Sequence, residues 1–253
     1  MNTVACYKVV PDEQDIVVKA DGSLDLSRAK PIIGEYDLMA VEEAVRIADA
    51  TGGSAVLLSA GDAKLTDSKL VKAALSRGAS ELYAVVDPAL SAADAFQTAT
   101  VLAAALEKID YDLVLCGEGS SDLYAQQVGS LVGALAGVPV LNAVSSIEVQ
   151  GDKLMVARTL EHEVEVLEVT LPAVLSVTTD INLPRIPQLK DILAAGKKPV
   201  TTWSLDEVGG LPSTPVETVS VLAPESIERK MVVYEDASAE NISALASDIR
   251  ASR

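Results

Sequence analysis

Aromatic residues are scarce in this chain: Phe, Trp and Tyr together make up 3% of it. Its core must come from Val, Leu, Ile and Ala, a mix that suits buried parallel strands under Ala-rich helices. Histidine is nearly absent. The single one, His162, sits in Leu160-Glu161-His162-Glu163. That excludes a histidine-based metal site or a Ser-His-Asp triad, and His162 reads as a solvated strand or turn residue. The two cysteines, Cys6 and Cys116, lie in separate apolar runs without CxxC spacing. No disulfide framework is expected, and the expected location is cytoplasmic. No apolar run reaches bilayer length, and residues 1–10 lack the basic segment and long apolar stretch of a signal peptide, so no membrane insertion is expected. Cations are outnumbered, with 20 Lys and Arg against 37 Asp and Glu and a net charge of −17. Such a surface repels a polyphosphate backbone, which argues against a nucleic-acid partner. A small nucleotide remains compatible, because helix ends and backbone amides bind phosphate without cationic side chains.

What is present is a strand–helix alternation over 253 residues, of which 49% are hydrophobic. A buried strand over 4–10 ends at Pro11. Asp37 is expected to cap a helix over 38–50 that stops at Gly52-Gly53. A strand over 55–59 turns at Ala60-Gly61-Asp62, and a helix over 67–77 stops at Gly78. Then come a strand over 81–87, a helix over 92–108 and a strand over 112–116. A helix follows from about Asp122 to 137. This order predicts right-handed βαβ units and a parallel sheet. From Val144 the pattern alternates like antiparallel strands, over 144–149, 154–160 and 164–169. A buried strand returns over 171–177. Beyond 182 the chain is Pro-rich; 200–236 reads as an extended arm and 239–249 as an amphipathic helix. The expected fold class is α/β: an open, mainly parallel twisted sheet with helices on both faces, an antiparallel section and an extended C-terminal arm. The expected division is a domain over 1–199, carrying a loop at 182–198, and an arm over 200–253.

Ligands of open parallel sheets bind beyond the carboxyl ends of the strands. Three such ends carry small or flexible residues: Cys6-Tyr7-Lys8, Ser59-Ala60-Gly61-Asp62 and Gly117-Glu118-Gly119-Ser120-Ser121-Asp122. Small residues let a flat base or ribose approach the backbone. The third end leads into a helix N-terminus, which favours phosphate. Gly117 and Gly119 give G-x-G, but Asp122 stands where a dinucleotide fingerprint has its third glycine, and no Walker lysine follows. The stretch Asp122-Leu123-Tyr124-Ala125-Gln126-Gln127-Val128-Gly129 offers polar groups at this edge.

These segments resemble the beta subunit of electron-transfer flavoproteins, in its bacterial Fix type associated with anaerobic carnitine reduction. Cys6-Tyr7-Lys8-Val9-Val10-Pro11-Asp12 is similar to that family's first strand and loop, and Ala40-Val41-Glu42-Glu43-Ala44 to its first helix. Gly119 through Gly129 resembles the nucleotide segment. Arg158, Glu161, Glu163 and Leu171-Pro172-Ala173-Val174 resemble the signature region, and Asn182, Pro184, Arg185 and Leu189 the partner-recognition loop. Tyr124 and Ala125 stand where many members carry Asp and Thr. The resemblance implies a heterodimeric electron carrier without classical catalytic residues. An alpha subunit would hold most of an FAD, the beta pocket would hold AMP or a second FAD, and an acyl-CoA dehydrogenase or reductase would be the redox partner. Flavin-based bifurcation comes with the second FAD. In the expected pocket, Cys6 and Ala60 pack near base or ribose, Gly34, Tyr36 and Asp37 close one side, and Gly61 and Gly117 belong to the strand ends that form it. Asp122, Tyr124, Ala125, Gln126, Gln127, Val128, Gly129 and Ser130 face the phosphates. Pro184, Arg185 and Leu189 are expected to meet the redox partner. The competing readings are an ATP-using enzyme on a similar sheet, which wants a Ser-Gly-Gly-x-Asp-Ser-like loop after the first strand, and a stress-type adenosine-binding module.

Overall fold

A computed structural model describes residues 1–214, 216–225 and 231–252. Positions 215, 226–230 and 253 of the expected arm lie outside the described residues. In chain order the elements are β1 (Thr3–Cys6), β2 (Val9–Pro11), β3 (Val17–Val18), β4 (Leu24–Asp25), β5 (Pro31–Ile33) and α1 (Glu35–Thr51). Next come β6 (Ala55–Gly61), α2 (Ser68–Leu75), β7 (Glu81–Val86), α3 (Ala95–Leu106), β8 (Leu113–Gly117) and α4 (Val128–Ala136). The chain continues with β9 (Val140–Gln150), β10 (Lys153–Thr159), β11 (Val164–Thr170), β12 (Ala173–Val177), α5 (Leu189–Ala195), β13 (Val200–Trp203) and α6 (Ala239–Ala251).

Nine strands form one sheet in the order β11-β10-β9-β12-β8-β1-β6-β7-β13. Neighbours from β9 to β13 run parallel. β10 is antiparallel to both β9 and β11. The fold is thus the expected α/β class. The central strands are apolar on both faces because both are covered. One layer packs Ala5, Leu57, Leu82, Leu113 and Leu115 against Ala40, Val41 and Ala44 of α1 and Leu75 of α2. The opposite layer packs Val4, Leu58, Val85 and Val114 against Ala99, Leu102 and Leu106 of α3 and Val132 of α4. The chain order reverses between β1 and β8, so their carboxyl ends leave a crevice there.

Several boundaries differ from expectation; the strand expected over 4–10 is two, β1 in the large sheet and β2, which pairs with β5. Helix α1 starts at Glu35 with Gly34 as its cap, so Asp37 lies in the first turn and not at the cap. Helix α4 starts at Val128, and residues 122–127 form a loop in which Tyr124 and Gln126 take positive φ values of 44° and 56°. Strand β9 starts at Val140 rather than 144. Its first residues pair in parallel with Val174 and Leu175, and after Ala143, at φ 55°, it pairs antiparallel with β10. One strand therefore serves two geometries, which periodicity alone does not reveal. The expected domain boundary at 199/200 coincides with the start of β13, an edge strand on β7. Its Trp203 stacks on Tyr83 at 5.2 Å, and Leu205 and Val208 are buried just beyond. A four-residue edge strand next to a proline carries too few apolar positions to register as a strand.

The chain divides into two compact units, Met1–Val17 with Asp25–Ser220, and Val18–Leu24 with Val221–Arg253. The first holds the nine-stranded sheet. The second holds an antiparallel bridge between Ser23 and Leu222 and the helix α6, whose Ile242, Leu245 and Ile249 are exposed. Among the described residues no helix is long and apolar enough to cross a membrane.

Candidate functional site

The chain beyond β1 is held on both sides. Ser59 Oγ donates to the Tyr7 carbonyl at 2.6 Å, and Gly34 N–H donates to the Lys8 carbonyl at 2.9 Å. Lys8 N–H donates to Asp37 Oδ2 at 2.7 Å. The other Asp37 oxygen lies against Gly117, where a Cβ would stand 2.7 Å from it and 2.8 Å from the Tyr36 backbone. Only glycine lets the α1 N-terminus come this close to the end of β8. Asp37 thus ties together the carboxyl ends of the two strands that flank the crevice. It is 7% exposed, and burial lifts its carboxyl to about 7 despite the Lys8 and Gly117 amides that favour its charge.

Lys8 Nζ then reaches Asp122 Oδ2 at 2.5 Å. Burial pushes the Asp122 carboxyl up, but the Lys8 ammonium and the Ser120 hydroxyl outweigh it and leave it below its ordinary range. The loop after β8 folds back as Tyr124 N–H donates to the Ser120 carbonyl at 2.9 Å. The Tyr124 ring covers Gly119 and meets Tyr36 at 5.2 Å between centroids. Left-handed backbone at Tyr124 and Gln126 costs these residues energy that the surrounding contacts must supply. The effect is to deliver α4 amide-first to the crevice. No side chain of the described residues caps α4, so its first N–H groups stay available for an anion. Helix and sheet approach closely here, because a Cβ on Gly129 would stand 2.1 Å from Ser176 Oγ and one on Gly133 2.7 Å from Val140 Cβ.

The result is a cleft of about 400 Å³. Its lining includes Cys6, Ala60, Gly61, Gly117, Asp122, Ala125, Gln126, Gln127, Val128 and Gly129. Gly34, Tyr36, Asp37, Tyr124 and Ser130 do not line it. Gly34, Tyr36 and Asp37 act one layer back, through Lys8, Gly117 and Tyr124. Sequence reasoning missed the wall formed by Leu90, Ser91, Ala93, Asp94, Thr98 and Leu102, from the segment between β7 and α3 and from α3 itself. The signal was available: this segment follows a strand's carboxyl end, and Asp94 heads a capping box with Gln97. It also missed Lys64, and it named Lys8 only as part of a strand end. Both lysines are already paired, Lys64 with Asp62 at 3.1 Å, and the cleft carries Asp94 and Glu118 besides. Burial raises the Glu118 carboxyl. An anion entering here finds amides rather than free cations.

The residues of the 182–189 loop lie elsewhere. Arg185 Nε donates to Glu42 Oε2 at 2.8 Å, and Asn182 Nδ2 donates to the Met39 carbonyl at 3.0 Å. These contacts fix the base of the loop on α1. Leu183 and Leu189 are 92% and 72% exposed, and Ile186 is exposed with them. His162 is exposed beside Glu161, as expected of a solvated residue.

Fold and cleft together define a class: an open parallel α/β sheet with a ligand-sized crevice at its switch point and an amide-lined helix end facing into it. The particular family follows from sequence comparison. The family model described as the electron transfer flavoprotein domain matches residues 22–208, and the chain belongs to that family of electron-transport flavoproteins.

Proposed function

We propose that the chain is the beta subunit, of Fix type, of a heterodimeric electron-transfer flavoprotein, and that its cleft holds AMP. The alpha subunit holds most of an FAD, and an acyl-CoA dehydrogenase or reductase exchanges electrons with the assembly. A bound flavin supplies the redox chemistry; this chain's residues bind, orient and exclude water. The observation that carries the reading is the cleft itself. Its apolar floor of Cys6, Cys116 and Leu102 suits a flat base, and the uncapped α4 N-terminus suits one phosphate. A volume of about 400 Å³ lies near the lower end of the roughly 300–1,000 Å³ of small-molecule sites. That size favours a mononucleotide over a second FAD, and with it a non-bifurcating carrier. The exposed Leu189, at the start of α5 and just after a loop anchored through Arg185 and braced by Pro184, supports its role as the anchor for the redox partner.

Denaturing the purified heterodimer and counting released nucleotides tests this reading. One FAD with one AMP per heterodimer is expected. Two FAD would refute the AMP assignment, and one FAD without any second adenine nucleotide would refute the cleft as a nucleotide site.

A further inference from the structure

We propose that Cys6 and Cys116 form a dithiol that closes reversibly to a disulfide, reached by small disulfides through the cleft. The thiols come from the carboxyl ends of neighbouring strands. β1 and β8 run parallel with Ala5 opposite Leu115, which places the next residues, Cys6 and Cys116, opposite one another. Both side chains enter the same buried layer. Neighbouring strands lie roughly 4.8 Å apart, inside the roughly 4.4–6.8 Å that a disulfide spans between Cα atoms. The neighbouring Cys116 side chain, with burial second, raises the Cys6 thiol well above its ordinary range. Cys6 is thereby held as the thiol, which leaves Cys116 as the sulfur that attacks first. Each residue is less than a tenth exposed, yet both line the cleft, so the cleft is their route to solvent.

The chemistry balances with a low-molecular-weight disulfide as oxidant. The Cys116 thiolate attacks one sulfur of the small disulfide; a mixed disulfide forms and one small thiol leaves with a proton. The Cys6 sulfur then loses its proton and attacks the Cys116 sulfur, expelling the second small thiol. Two protein thiols are oxidised by two electrons, and the small disulfide is reduced to two thiols. Burial keeps the reaction slow, on the order of minutes to hours. Joining the strand ends moves the floor of the cleft, where Cys6 and Cys116 lie under the ligand.

The test uses the full chain with oxidised glutathione, rapid alkylation under denaturing conditions, proteolysis and mass spectrometry. The expected product is a peptide pair joining Cys6 to Cys116, lighter by two hydrogens and separated again by dithiothreitol. With AMP at about ten times its Kd, formation should slow about tenfold, in proportion to the empty fraction. This second arm rests on the nucleotide reading of the cleft, so AMP binding is followed separately by calorimetry. No joined pair, or glutathione attached to each cysteine separately, overturns the dithiol. AMP that binds without slowing the reaction overturns the route through the cleft. AMP that does not bind refutes the nucleotide reading, and the joined pair alone then upholds or overturns the dithiol.

Discussion

At Asp37, burial and hydrogen bonding act in opposite directions. Its carboxylate accepts the Lys8 amide beside Gly117, but burial raises it from 3.8 to about 7. Because the folded value lies above the unfolded one, stability falls as pH rises from about 4 to about 7, and the loss is complete above that. Asp37→Asn has the same shape and no charge. Its amide nitrogen cannot accept a backbone N–H as the lost oxygen did, a cost equal at every pH; against that constant offset its stability relative to the parent should rise by about a few kcal/mol between pH 4 and 7 and stay level beyond. The same variant should bind AMP more weakly above pH 7, where the parent's carboxylate holds both strand ends. Melting curves offset by the same amount at every pH would show that Asp37 does not ionise in this window. Leu189 makes a contrasting case, since it is 72% exposed on its short helix. Leu189→Ala should slow electron transfer to the redox partner while leaving cofactor content and melting temperature unchanged, because an exposed anchor carries binding and not folding. A drop in melting temperature of several degrees would mean that Leu189 carries folding rather than partner binding.

Among the elements, α4 decides the site. It lies against β8 and β12 through Gly129, whose missing Cβ leaves room for Ser176 Oγ. Gly129→Ala should push the helix outward, cost about 1–3 kcal/mol as overpacking does, and weaken AMP binding. Adding Ser176→Ala removes the clashing oxygen and should restore most of both losses. If the double variant is no better than the single one, in a double-mutant cycle, then Gly129 is required for another reason. Much of this architecture was legible in the sequence, because apolar runs, caps and glycine stops gave β1, β6, β7 and β8 and the helices between them. What escaped was set by tertiary pairing. The polar run Asp122–Gln127 reads as helix by composition, yet Tyr124 is pulled into left-handed backbone by its ring's fit over Gly119. The division of β9 between two partners and the edge strand β13 depend on neighbours far along the chain. For the site, small residues at three strand ends pointed to the cleft, whereas the wall around Asp94 belongs to a fourth end, after β7, whose capping box was the one signal there.

For the whole molecule, charge and exposed apolar surface make conflicting demands. A net charge of −17 opposes self-association. Yet in the second unit Val221, Leu222, Met231, Val232 and Val233 are exposed, as are Ile242, Leu245 and Ile249 at helical spacing on α6. So much apolar surface in one stretch of chain marks an interaction surface. A second copy of this chain would bring the same negative charge to the contact, so a different chain, the alpha subunit of the proposed heterodimer, is the better complement. Binding a partner to the folded state alone stabilises it by mass action, by about 2.7 kcal/mol at a hundred times the Kd. The melting temperature of the beta chain should therefore rise with added alpha subunit in a concentration-dependent way, and a dye for exposed apolar surface should lose its signal in parallel. Truncation after Ser220 should remove the partner-dependent rise while leaving the nine-stranded unit folded, since that unit spans Met1–Val17 and Asp25–Ser220. A full chain that melts at one temperature at every alpha concentration, and retains FAD stoichiometrically alone, would mean that this surface serves no alpha subunit.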